Sequence, residues 1–114
     1  DSAVLSADVS WVSRDRLAQI PKAEWNKFAR VCPEFVVEVL SPSDSVKVTE
    51  KKMHQWIANG AELGWMINPV KETIKIFRPG QDATTVKGFD QQLIAGDPMP
   101  GFVLDLQQLR SLIA

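Results

Sequence analysis

The sequence predicts an α/β domain built on a mixed β-sheet with few flanking helices. Three observations carry that expectation. Apolar runs at residues 34–40, 63–67 and 73–77 read as strands, and the first is dense enough in β-branched residues to be covered on both faces. One capped, amphipathic stretch at residues 46–59 separates the first two runs. The helical stretches are too few for a regular alternation of strand and helix. At 114 residues the chain has the size of one domain, residues 1–114, because compact domains run about 100–150 residues.

In chain order, residues 4–12 (VLSADVSWV) alternate. Leu5, Ala7, Val9 and Trp11 share one face, and Val4, Ser6, Asp8, Ser10 and Val12 share the other, which marks a half-polar strand. Residues 14–31 are mixed: Ile20-Pro21 breaks the segment, and residues 22–31 (KAEWNKFARV) read as a short helix or a loop. Pro33 precedes the strand at 34–40 (EFVVEVL), which Ser41-Pro42-Ser43-Asp44-Ser45 stops while offering N-cap oxygens to a helix. That helix runs from Val46 to Asn59 and ends at Gly60, with Val46, Met53, Trp56 and Ile57 as its apolar stripe. Asn68-Pro69 turns the strand at 63–67 into its hairpin partner at 73–77, which Pro79-Gly80 ends. Residues 83–95 read as one or two short strands, and Pro98, Pro100 and Gly101 mark a loop. The final stretch, 104–113, places Leu106, Leu109, Leu112 and Ile113 on one helical face.

Composition excludes several classes. Apolar residues make up 45% and charged residues 24%, unlike a disordered tail, a collagen-like repeat or a disulfide miniprotein. No apolar run approaches the ~18–20 residues that span a bilayer, so no membrane partner is expected. Thirteen Lys and Arg against fourteen Asp and Glu give a net charge of -1, so overall charge lends no support to nucleic-acid binding and leaves only a local patch. Cys32 is the single cysteine, which forbids an internal disulfide or a zinc cluster and fits a half-buried free thiol in a reducing cytoplasm. The single histidine, His54, excludes a multi-His metal site, and no Gly-rich phosphate loop is present. The chain opens Asp1-Ser2-Ala3-Val4 with neither Met nor a signal segment, which suggests a processed or truncated chain.

Glu38 is the most informative residue. It lies inside a run of Val and Leu, where an ionised carboxylate costs several kcal/mol unless it is paired or binds a metal. An edge position or a structural salt bridge to an Arg or Lys is the bland alternative. Asp8 is mid-strand on the polar face, where Asp is depleted, and solvent exposure is its bland alternative. If the two strands are neighbours sharing a polar face, both carboxylates converge; their repulsion is relieved by a hard divalent cation, which prefers oxygen ligands. At ~100° per residue, Lys52 falls on the flank of the apolar stripe and Lys51 on the opposite, solvated side. Lys52 can therefore deliver its ammonium at the core boundary, with functionless snorkelling as the alternative. Glu50 and His54, four apart, read as a weak surface pair. Trp11, Trp25, Trp56 and Trp65 read as core anchors, with base stacking as the alternative, and Ser41, Ser43 and Ser45 as turn and cap residues.

The succession ADVSWVS, PEFVVEVLSPSDS, EKKMHQWIANGAELGWMINP, IFRPG and PGFVLDL resembles, in order and over nearly the whole chain, the Uma-two family (domain of unknown function 820). That family is a restriction-endonuclease-like branch of the PD-(D/E)XK nuclease superfamily. The resemblance implies a restriction-endonuclease-like fold and an endonuclease, a hydrolase of phosphodiester bonds in DNA that depends on magnesium. It implies Asp8 and Glu38 as metal ligands and Asp8, Glu38 and Lys52 as catalytic residues. The proline of the PD motif is replaced by Ala7. The position two after the second acid, where the superfamily carries lysine, is Leu40; the resemblance moves that lysine onto the next helix, at Lys52. Family members also carry an N-terminal segment ahead of the PD strand, often with an acidic residue that completes the metal site. The expectation is thus an N-terminally incomplete core that exposes a sheet edge and forms a homo-oligomer. A non-catalytic member acting as a binding or oligomerisation module is the second reading.

Overall fold

The computed structural model describes residues 7–19 and 32–113, with side chains through Arg110. β1 (Val9–Trp11), β2 (Phe35–Val39), β3 (Leu63–Asn68), β4 (Thr73–Phe77) and β5 (Thr84–Lys87) form a five-stranded sheet in that spatial order. β2 and β3 are parallel and the other pairs antiparallel. Parallel neighbours require a crossover, and helix α2 (Val46–Ala58) supplies it. Ser45 caps α2 by accepting the Val48 N–H, and Gly60, at φ +115, follows the Asn59 C-cap in a conformation that side chains disfavour. A hairpin of β6 (Gln92–Gly96) and β7 (Met99–Asp105) and a 3-10 helix (Leu106–Ile113) complete the chain. Among the described residues no helix is long and apolar enough to cross a membrane.

Each face of the sheet has its own core. Phe35, Val37, Trp65, Ile67 and Ile74 pack under the hairpin and the 3-10 helix through Leu93, Ala95, Leu106 and Leu109. Val36, Leu40, Met66 and Phe77 pack under Met53 and Trp56 of α2. The mixed α/β architecture with few helices, expected from the strand runs and the single capped helix, is the one observed, with β2 covered on both sides.

Several local expectations are corrected. The mixed segment after residue 14 opens with a helical turn and a half, α1 (Arg14–Ala18), capped by Ser13; residues 22–31, Trp25 among them, lie outside the described residues, as does the start of the first expected strand. Of the expected loop at Pro98, Pro100 and Gly101, Pro98 does lie in the turn between β6 and β7, whereas Pro100 and Gly101 belong to β7, where the register is interrupted between the Gly96–Met99 and Ile94–Val103 pairs and a proline is tolerated. The C-terminal helix is 3-10, not α: Leu106 and Leu109 are both buried, and residues three apart eclipse in a 3-10 helix. Val46 is exposed rather than part of the stripe. Val9 and Trp11 are 57% and 38% exposed, because β1 is an edge strand beyond the reach of the hairpin core. Trp56 and Trp65 are buried.

Candidate functional site

Glu38 is the fourth residue of β2, and the alternation of the strand turns it toward α2 together with Val36 and Leu40. It is only 5% exposed, on a strand flanked by β1 and β3, so the edge position is excluded. The charge such a carboxylate needs comes from α2: Lys52 Nζ lies 3.1 Å from Glu38 Oε2. That contact is an ion pair without hydrogen-bond alignment, since Oε2 is buried and finds no hydrogen-bond partner among the described residues.

The placement of Lys52 follows from how α2 sits. Met53 and Trp56 are buried, so the helix wheel puts Lys52 on the flank over β2 and Glu50 and His54 on the flank over β4. Glu50 does not pair with His54; it forms an ion pair with Lys75 of β4, while the His54 ring meets Phe77 edge-on at 5.3 Å. One ion pair on each flank thus fixes the roll of the helix. Its distance from the sheet is set at Gly64, where a Cβ would stand 2.5 Å from Met53 Cε and 3.4 Å from Val36 Cγ2. Lys51 is exposed.

Asp8 precedes β1. Val9 pairs with Val37, and continuing that antiparallel register by one residue sets Asp8 opposite Glu38, on the same face of the sheet. The Asp8 side chain is exposed, and its Oδ2 accepts the Val39 N–H at 2.6 Å.

A clasp unforeseen from the sequence holds this strand. The Glu34 N–H donates to Trp11 O, and the Ser13 N–H donates to Glu34 Oε1 at 2.9 Å. Arg16 donates to the carbonyls of Cys32 and Gly60 and to Glu62, and stands 3.6 Å from Glu34 Oε2. Burial pushes the Glu34 carboxyl up, but the Ser13 hydroxyl and N–H and the Arg16 guanidinium outweigh it and hold it below the usual carboxylate range. The one sequence signal for this clasp was an acid beside Pro33 at the mouth of a buried strand. At Cys32 burial outweighs the neighbouring Arg16 charge and pushes the half-buried thiol up.

Beyond β2, the Asp44 carboxylate accepts the Ser41 N–H at 2.8 Å and closes the turn into α2. The Ser41 backbone and hydroxyl hold its carboxyl below the ordinary value, with Lys52 adding to the effect. An open cavity of about 250 Å³ adjoins this turn, lined by Leu40, Ser41, Asp44, Val46, Asn68 and Lys71 among others.

Glu38 and the Lys52 ammonium therefore stand together beside α2, with Asp8 in register with Glu38 at the β1–β2 border. The donor set suits a hard divalent cation: both acids offer oxygen, and the buried Glu38 Oε2 has no hydrogen bond to surrender. Among the described residues no group of three or more His, Cys, Asp or Glu side chains gathers for a metal, so a cation held by Asp8 and Glu38 would need water or phosphate oxygens to complete its shell.

A family model, Uma2, described as "Putative restriction endonuclease", matches residues 1–107. Among solved structures the chain is similar to "a putative nuclease belonging to DUF820" from Anabaena variabilis, at 25% identity and a TM-score of 0.60, over 73% of this chain and 46% of that one. The chain thus spans less than half the length of that structure. No curated protein matches it.

Proposed function

Because the chain belongs to the Uma2 family, we propose that it hydrolyses phosphodiester bonds in DNA at Asp8, Glu38 and Lys52, with magnesium held by the two carboxylates. One observation carries this reading: a carboxylate buried in a central strand, with its counter-charge on the neighbouring helix and a second acid in register on the next strand. When bound, magnesium supplies an activated water and charge stabilisation at the phosphate. Asp8 and Glu38 hold it, and the Val39 N–H fixes the Asp8 carboxylate in place. The Lys52 ammonium, on a side chain about a third exposed, orients the attacking water or the scissile phosphate. A single cysteine, with no partner for an internal disulfide, suits a reducing cytoplasm.

Plasmid nicking tests the reading. Lys52→Ala is expected to lower magnesium-dependent nicking by ~10²-fold or more, the usual cost of losing a transition-state charge contact. Lys51→Ala is expected to leave it intact. Equal loss in both variants would mean non-specific electrostatic binding instead. No nicking by the unmutated chain with magnesium or manganese would favour the second reading.

That second reading, a non-catalytic binding or oligomerisation module, is favoured by the exposed Val9 and Trp11 on β1, an edge strand among the described residues. A homo-oligomer formed across that edge is expected under either reading, and light scattering showing a clean monomer at high concentration would count against it.

A further inference from the structure

We infer that the Lys52 ammonium is a built-in stand-in cation, which balances Glu38 in the metal-free site and is expelled from it when a divalent ion enters. This rests on the metal-site reading above and adds a consequence of its own: metal binding and release of Lys52 are one event.

The geometry carries the argument. A carboxylate buried as deeply as Glu38 calls for a counter-charge, and Lys52 Nζ at 3.1 Å supplies it. A magnesium ion bonds carboxylate oxygen at about 2.0–2.1 Å. With both cations on Oε2, their centres would lie no more than about 5 Å apart, close enough for like charges to oppose each other strongly. The ammonium is the one that can leave. It sits on a flexible four-carbon stem, its side chain is 30% exposed, and no aligned hydrogen bond ties it to Oε2. Asp8 is less free to adjust, because the Val39 N–H pins its carboxylate. The displaced ammonium therefore swings out to the solvent side of α2.

The inference predicts opposite effects on binding and catalysis. In Lys52→Met, magnesium affinity, followed by calorimetry and by the rise in melting temperature with added magnesium, is expected to increase about tenfold, equivalent to about 1.4 kcal/mol, while nicking is lost. The double variant Lys52→Met/Glu38→Gln, with a neutral pair in the same space, is expected to fold and to lose the magnesium response. In the unmutated protein, the Lys52 side-chain NMR signals are expected to shift as magnesium saturates the site, a readout that survives even if Lys52→Met does not fold. Equal or weaker affinity in Lys52→Met, or Lys52 signals unmoved at saturation, would overturn the inference and leave the metal reading standing. No magnesium response in any form would overturn both.

Discussion

Glu38 and Lys52 make an asymmetric pair: the acid is almost wholly buried and the base a third exposed. Removing the base therefore strands a charge in the protein, whereas removing both leaves only a polar contact to refill. Lys52→Ala is expected to destabilise the fold by about 1–3 kcal/mol, below the full cost of breaking a buried pair because Lys52 is partly in water. Glu38→Gln/Lys52→Met is expected to recover most of that, and Lys51→Ala to cost less than ~0.5 kcal/mol. Urea denaturation checks all three, and equal losses at Lys51 and Lys52 would remove the pair from the account. The choice between these two lysines was legible in the sequence, because 3.6-residue periodicity and the buried Met53 and Trp56 fix which flank meets the sheet. The bond from the Val39 N–H to Asp8 was not legible, since it depends on the pairing register of β1, which no local pattern of three residues specifies. Nor was the pairing of Glu50: the four-residue spacing to His54 is local, while Lys75 arrives from another strand.

At the scale of the element, α2 carries the site only because it lies close to β3. Gly64→Ala would place a methyl group against Met53 Cε, and the flexible end of Met53 must shift to admit it. The expected cost is about 1–3 kcal/mol of overpacking. Gly64→Ala/Met53→Ala is expected to relieve the clash while introducing a cavity of its own, so that the two effects are non-additive in a denaturation cycle. Strict additivity would show that the helix does not rest on this contact. Strong periodic signals made β2, α2, β3 and β4 legible almost to the residue, because each is fixed by its own burial pattern and punctuation. The elements that were misread are those in which tertiary context overrides punctuation. β7 runs through Pro100 and Gly101 because its partner β6 pairs with it, and α1 is five residues held by the Ser13 cap and the Arg16 contacts more than by its own propensity.

For the whole molecule, Arg110 joins the two sheets at a distance. From the 3-10 helix it bonds both Glu72 oxygens, in the β3–β4 turn, and Asp90, ahead of β6. The Arg110 hydrogen bonds hold the carboxyls of Glu72 and Asp90 below their ordinary values of 4.5 and 3.8, and the two acids in turn raise the guanidinium. With native values depressed, their stabilising contribution is complete above the ordinary values and disappears as pH falls through the lowered ones. Acid denaturation of Glu72→Gln is expected to show a shallower loss of stability below about pH 4.5 than the unmutated chain. An unchanged slope would mean that the clamp contributes nothing, as many exposed pairs do.

The two halves of the candidate site close chain loops of different length. Lys52 and Glu38 are joined through the local crossover of α2, whereas the Val39 amide reaches Asp8 across 31 residues, just ahead of a strand of three. Loop-closure entropy rises with length, so the shorter loop is rewarded first during folding and the β1 docking later. A partly folded chain then already has Glu38 neutralised by its own lysine and still lacks its second carboxylate. On the proposed reading, cation capture then waits for the Asp8 segment to dock, so a half-folded chain has no complete site to load.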